Sequence, residues 1–358
     1  MRHIDSALIL LAFLVFLAGC QSAPPPAPRT LAELEGQTMI QPPRLNPGDT
    51  IMFVAPAGDL NEERMMRAKE NLESLGYTVK MRQDLFAADG YLAGSDKRRA
   101  KELMQAFLDP EIDAIFPGTG GYGSMRIFDR LDWQKIRAHP KIVIGFSDIT
   151  ALHLALNRQA GLVSFHTPNP QWGLGSEEGM TPFTEKYFWK AILANDDVEK
   201  NGYVIEIPWD APQPATMGKG KARGRLAGGN LSMISALEGT PFAIDTRDAI
   251  LVIEDVREAP YRIDRMLRQL QLAGKLQTLR GAVLGQFTRN YDREEDQMTQ
   301  DPRFTVDGVL KQYFEPLGIP VLVNFPLGHH RYNASVPLGA MAEVDADRGL
   351  LRVLPYSR

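Results

Sequence analysis

The sequence predicts an α/β protein of two domains. Short apolar runs of strand character alternate with amphipathic segments of helical length, the pattern of a parallel sheet covered by helices. A stretch over residues 167–222, rich in Pro, Gly, Trp and charge, interrupts this alternation, which then resumes. Roughly 315 residues follow residue 42, more than one hydrophobic core ordinarily serves.

Thr50 to Ala55 reads as a buried strand ending at Pro56-Ala57-Gly58, followed by a helix over Leu60 to Leu75 and a strand over Tyr77 to Met81. Asp96 to Phe107 reads as a helix, Ala114 to Phe116 and Lys141 to Gly145 as strands, and Asp148 to Arg158 as a helix. These elements place a first domain over residues 43–166. Residues 167–222 are expected to connect the domains, and residues 223–358 to form the second. There, Arg225 to Asn230 opens the unit and Ile250 to Glu254 is a strand. Tyr261 to Ala273 is a helix, Gly281 to Gln286 a strand, Thr305 to Phe314 a helix and Val321 to Asn324 a strand. Asn290 to Arg303 is acidic and polar, an exposed loop. No internal repeat is visible.

Residues 1–20 read as a secretory signal. Met1-Arg2-His3 supplies a positive start, and Ala7 to Ala18 is unbroken apolar sequence. That run is shorter than the ~20 residues that span a bilayer but fits a signal-peptide core. It ends in Leu17-Ala18-Gly19-Cys20, which resembles the lipobox of bacterial lipoproteins, whose cysteine is lipidated. Cys20 is the only cysteine, so an internal disulfide is excluded. Gln21 rather than Asp follows it, which resembles the outer-membrane default of Gram-negative lipoproteins. A periplasmic, lipid-anchored protein is therefore expected. Residues 21–42 begin with a Pro/Ala-rich run and read as a tether to the membrane, extended where proline dominates. The net charge is −4 with no basic block, which argues against a nucleic-acid partner. A homodimer is one expected assembly.

The most informative stretch is IFPGTGGYGSMR, residues 115–126. An apolar strand enters a cluster of glycines, and Ser124 stands where a helix begins, with Met125, Ile127, Phe128 and Leu131 apolar behind it. A serine on such a turn projects from the backbone, and the unpaired N–H groups of the helix start can stabilise an oxyanion. This is the geometry of a nucleophile elbow. The same residues support a dinucleotide site: Gly118, Gly120 and Gly123 match G-x-G-x-x-G, and Asp148 lies about where a ribose-binding acid would fall. A turn serving only packing is the third reading.

A serine needs a base. His139 precedes Pro140 in a loop, and His153 lies within a helix. His166 ends an apolar run and is a weaker candidate. His329 and His330 follow Phe325-Pro326-Leu327-Gly328 just beyond a strand, where α/β sites gather. For the acid, Glu254 ends the apolar run Ala249 to Ile253, where burial without a partner is costly. Asp255 and Glu258 are alternatives, and a salt bridge from Glu254 to Arg262 or Arg265 is the structural reading. No H-x-x-x-H or H-E-x-x-H spacing occurs, so no metal is expected.

Five long segments then add specificity: GGYGSMRIFDRLDW, PKIVIGFSDITALHLAL, GRLAGGNLSMISALEGTPF, ILVIEDVREAPYRIDRMLRQLQLAG and IPVLVNFPLGHHRYNASVPLGA. From about Pro43 to the end they resemble the LD-carboxypeptidase family of serine peptidases, which includes the microcin C self-immunity hydrolases. The resemblance implies a flavodoxin-like N-terminal domain and a smaller C-terminal α/β swivelling domain. It implies a triad of Ser124, Glu254 and His329, with no cofactor. Thr119-Gly120-Gly121 stands where the family often has Arg-Gly-Gly, and Gly328-His329-His330 where it has glycine-histidine-glycine. The implied reaction is hydrolysis of a murein tetrapeptide between meso-diaminopimelate and terminal D-alanine. The Met125 N–H and one from Gly120 or Gly121 would hold the oxyanion. Trp172, Asp148 and Asn230 are candidates to line the pocket. A related hydrolase of peptides or peptide-nucleotides, and a non-catalytic murein-binding lipoprotein, are the alternatives.

Overall fold

The computed structural model describes residues 25–30, 32–289 and 301–355. The signal segment, Cys20 and the start of the tether lie outside the described residues, as does most of the acidic stretch expected as a loop.

The N-terminal half supplies strands β1 (Thr50–Val54), β2 (Thr78–Lys80), β3 (Ala114–Pro117), β4 (Ile142–Gly145) and β5 (Ser164–His166). β3 and β4 are buried at every residue and β1 at all but its first, as expected of parallel strands covered on both faces. They pair in parallel in the order β2-β1-β3-β4-β5. This is the flavodoxin-like order, with its switch point between β1 and β3.

Strand alternation divides the core in two. Met52 and Val54 face the helix Asp96–Leu108 through Ala100, Leu103 and Phe107. Ile51 and Phe53 face the helix Glu62–Ser74 through Met65, Ala68 and Leu72. Both helices start at side-chain caps: Asn61 accepts the Arg64 N–H and Ser95 accepts the Arg98 N–H.

The remaining strands are β6 (Tyr203–Val204), β7 (Ala215–Met217), β8 (Lys221–Asn230), β9 (Ala249–Val256), β10 (Gly281–Thr288), β11 (Val321–Val323), β12 (Val336–Leu338), β13 (Met341–Asp345) and β14 (Leu350–Val353). β8 to β11 are parallel neighbours. β13, β14 and β6 extend one edge antiparallel, and β7 closes the other. β12 leaves this sheet and pairs antiparallel with β5, setting Val336 opposite His166. A C-terminal strand thereby completes the N-terminal sheet and ties the two domains together.

Two segments differ from expectation. Residues 167–222 carry the helix Pro182–Ile192, whose Phe188, Ala191 and Ile192 join the N-terminal core, together with β6 and β7. Their aromatic and aliphatic side chains find core positions that their loop-like composition masks. Part of the segment read as a tether, residues 21–42, also docks on the body. The Arg29 N–H donates to Gln159 Oε1 at 2.8 Å, and Gln37 Nε2 donates to the Arg158 carbonyl at 3.1 Å. Ile40 pairs with Leu162, and Leu34 is buried. Apolar side chains within a polar stretch dock it on the body.

Candidate active site

The glycine-rich turn lies at the carboxyl ends of β1 and β3, the switch point of the sheet. The Gly58 N–H donates to the Gly120 carbonyl at 3.0 Å and joins the loops after these strands. Ser124 opens a 3-10 helix over Ser124–Arg130. Gly123 before it has φ 137°, and a Cβ there would lie 2.7 Å from Arg99 Nη1 and 2.8 Å from Leu92 Cδ2. Only glycine fits. Arg99 is fully buried, and its Nη1 donates to the Gly123 and Pro56 carbonyls at 2.8 and 2.5 Å. The Ser124 N–H donates to Asp148 Oδ2 at 2.9 Å. Ser124 is buried, and its Oγ has no hydrogen-bond partner among the described residues. Nucleophile–base hydrogen bonds often tighten only once substrate binds.

Glu254 and His329 meet from different elements. Glu254 lies in β9 beside Asn230 of β8 and is fully buried. His329 follows the turn after β11. The two are joined through His329 Nδ1 and Glu254 Oε2 at 2.6 Å, and the His329 N–H donates to the same oxygen at 3.2 Å. Gly328 permits this approach: its φ is 108°, and a Cβ there would lie 2.6 Å from Glu254 Cβ. Burial alone would push the Glu254 carboxyl up, but His329, with His166 and Asn230, holds it below its ordinary value. Burial would push the His329 imidazole down, but the Glu254 carboxylate holds it above its ordinary value. With Nδ1 donating to Glu254, Nε2 is left as the acceptor, the tautomer a general base needs.

A cavity of about 760 Å³ holds Gly120, Gly121, Trp172 and His329 on its wall. Trp172 Nε1 donates to Thr119 Oγ1 at 3.1 Å. The Met125 N–H belongs to the first turn of the 3-10 helix, where no intrahelical acceptor exists, while its side chain packs on the core. Asp148 and Asn230, expected to line the pocket, do not reach it. Asp148 is committed to the Ser124 N–H, and Asn230 Nδ2 donates to Asp255 Oδ1 at 3.1 Å. Both support the site from behind. Buried and off the cavity wall, Asp148 is also not placed to hold a dinucleotide ribose.

The other candidates lie elsewhere. Asp255 accepts the Ser232 N–H and hydroxyl, and burial and Glu254 push it up to about 6. Glu258 pairs with Arg262 at 3.6 Å. The His330 ring stacks on Tyr332 instead of Glu254. His153 Nε2 binds the Gly145 carbonyl.

Two family descriptions match, the LD-carboxypeptidase N-terminal domain over residues 51–167 and the LD-carboxypeptidase C-terminal domain over residues 223–344. The chain belongs to the LD-carboxypeptidase family. It is 38% identical over 306 residues to the "Probable murein peptide carboxypeptidase" of Bacillus subtilis, covering 85% of this chain and 91% of that one. The crystal structure of muramoyltetrapeptide carboxypeptidase from Oxalobacter formigenes matches with a TM-score of 0.70 and 28% identity, over 86% of this chain and 100% of that one. The wild-type microcin C7 self immunity protein MccF matches with a TM-score of 0.80 and 25% identity, over 88% and 99%. This LD-carboxypeptidase family member is a serine-type carboxypeptidase by its relatives.

Two features of the site escape sequence reasoning. Arg99 sits in a helix among other charges, and nothing local marks it as a buried strut. Phe146 packs on the His329 ring at 4.8 Å between centroids, although it lies in a distant loop. His166 is fully buried with both ring nitrogens unpartnered among the described residues, and burial pushes it down to about 4. The sequence offers it as a weaker base from its place at a strand end, and it does not lie on the cavity wall.

Proposed function

We propose that this protein is a serine LD-carboxypeptidase that hydrolyses the last amide of murein peptides, between an L-configured centre and a terminal D-alanine. The Glu254–His329 pair at 2.6 Å, with His329 on the cavity wall beside the elbow glycines, carries this reading. The relative named as a murein peptide carboxypeptidase supports the substrate class.

In this mechanism His329 Nε2 takes the Ser124 proton as Oγ attacks the carbonyl carbon. The Met125 N–H and a glycine N–H of the elbow stabilise the tetrahedral oxyanion. Protonated His329 gives its proton to the amine of the leaving D-alanine, the carbon–nitrogen bond breaks, and an acyl-enzyme remains. Water, deprotonated by the same imidazole, releases the peptide acid and Ser124. Glu254 fixes the tautomer and stabilises the imidazolium. Lipidation at Cys20 would place this chemistry in the periplasm beside its substrate.

Mass spectrometry of purified muropeptides incubated with the protein tests the proposal, and loss of one terminal alanine from tetrapeptides is expected. The likeness to MccF favours a second reading, hydrolysis of a peptide-nucleotide. Intact tetrapeptides alongside cleavage of an aminoacyl sulfamoyl nucleoside would select it.

A further inference from the structure

We propose that Arg289 anchors the terminal carboxylate of the leaving residue and thereby confines cleavage to the last amide of a peptide. This deepens the carboxypeptidase reading and rests on it. In that mechanism His329 protonates the leaving amine, so this nitrogen sits at the imidazole. The α-carboxyl carbon of the leaving residue is two bonds further on, about 2.5 Å away by covalent geometry. A carboxylate must therefore fall near His329, where a cation would stabilise it.

Among the described residues, three arginines line the cavity: Arg64, Arg289 and Arg331. The Arg64 guanidinium lies 4.5 Å from the Trp172 ring and that of Arg331 5.1 Å from the Tyr332 ring. None of the three has an ion pair with a carboxylate among the described residues, and Arg289 alone is not laid against a ring there. It directly follows Thr288, whose hydroxyl donates to the His329 carbonyl at 3.0 Å. β10 thus delivers Arg289 to the edge of the base's own turn. Its backbone adopts φ 52°, a left-handed conformation that non-glycine residues rarely hold without a reason.

Electrostatics separates the three. The Arg289 charge opposes protonation of His329, whereas Arg331 acts on His330. A bound carboxylate would cancel the Arg289 charge, so His329 would hold a proton better in the complex than in the free enzyme. A guanidinium fork also matches a carboxylate with two parallel hydrogen bonds.

The test uses one synthetic tetrapeptide ending in D-alanine and its C-terminal amide, with the wild type, R289Q and R289K, each checked for folding by circular dichroism. The wild type should prefer the acid. In R289Q the KM for the acid should rise ~10-fold or more, from the loss of a charge-assisted hydrogen bond, with kcat little changed. R289Q should treat acid and amide alike, and R289K should recover part of the preference. If R289Q keeps the wild-type preference, or the preference is lost instead in R64Q or R331Q, the role of Arg289 is overturned while the carboxypeptidase reading stands. A wild type that cleaves neither peptide overturns both.

Discussion

Asp148 holds Ser124 by its backbone, one carboxylate oxygen accepting the Ser124 N–H at 2.9 Å inside the fold. Burial pushes this carboxyl up, and Ser124 and the Gly123 N–H oppose that push. Asp148, which is off the cavity wall, thus fixes the backbone that carries the hydroxyl. Asp148→Ala should leave buried N–H groups unsatisfied and cost ~1–3 kcal/mol of stability, with a fall in kcat as the elbow loosens. Asp148→Asn keeps one acceptor oxygen and should cost less. Equal denaturation midpoints for wild type and Asp148→Ala would rule out this role.

Ser124→Ala should lower kcat on muropeptides by ~10⁴-fold or more while the circular dichroism spectrum is kept. His329→Ala should cost as much, and the double variant little more, because triad members act as a unit. An additive double variant, or a loss at His330 in place of His329, would reject the pairing.

The pH profile follows from the direction of the His329 shift. The free enzyme needs neutral His329, so kcat/KM should rise with pH through a midpoint above the ordinary histidine value of about 6.5. Glu254→Gln removes the carboxylate that raises that midpoint and leaves burial, which lowers it. The acid limb should then move to lower pH, with kcat reduced ~10⁴-fold, as when the acid of a triad is neutralised. An unmoved or raised midpoint would contradict the coupling.

Gly328→Ala should separate stability from catalysis. Its φ of 108° and the 2.6 Å approach to Glu254 leave no room for a methyl group. The turn can yield only by withdrawing His329 from Glu254. Thermal melting should fall modestly and turnover should be lost. Retained activity would show that the approach is not required.

The N-terminal segment makes a different pair of predictions. A chain starting at Pro43 loses the buried Leu34 and the Arg29–Gln159 and Gln37–Arg158 contacts. It should melt below one starting at Pro25, since ~1 kcal/mol is worth ~1–2 °C in a chain of more than 300 residues. Identical melting would mean that this segment does not dock. Cys20→Ser should abolish fatty-acid labelling and membrane fractionation of the full chain, and labelling that survives would remove the anchor.

Fold class was legible in the sequence because it is a local pattern, and patterns of the same kind single out Ser124, Glu254 and the His329–His330 pair as candidates. Alternating apolar runs name strands, a glycine cluster names a sharp turn, and a carboxylate closing five apolar residues names a buried acid. The pairing of Glu254 with His329 instead of His330 is a long-range matter, decided by Gly328 and by where β9 and β11 end. So is the docking of residues 29–40, whose composition reads as tether but whose few apolar groups find a surface. Asp148, Asn230 and Arg99 behave alike. Their residue types suit a pocket or a solvated face, yet packing turns each inward to satisfy backbone and carboxylate groups. Burial and partner choice belong to tertiary structure because they depend on contacts between segments distant in the chain, which no local pattern encodes.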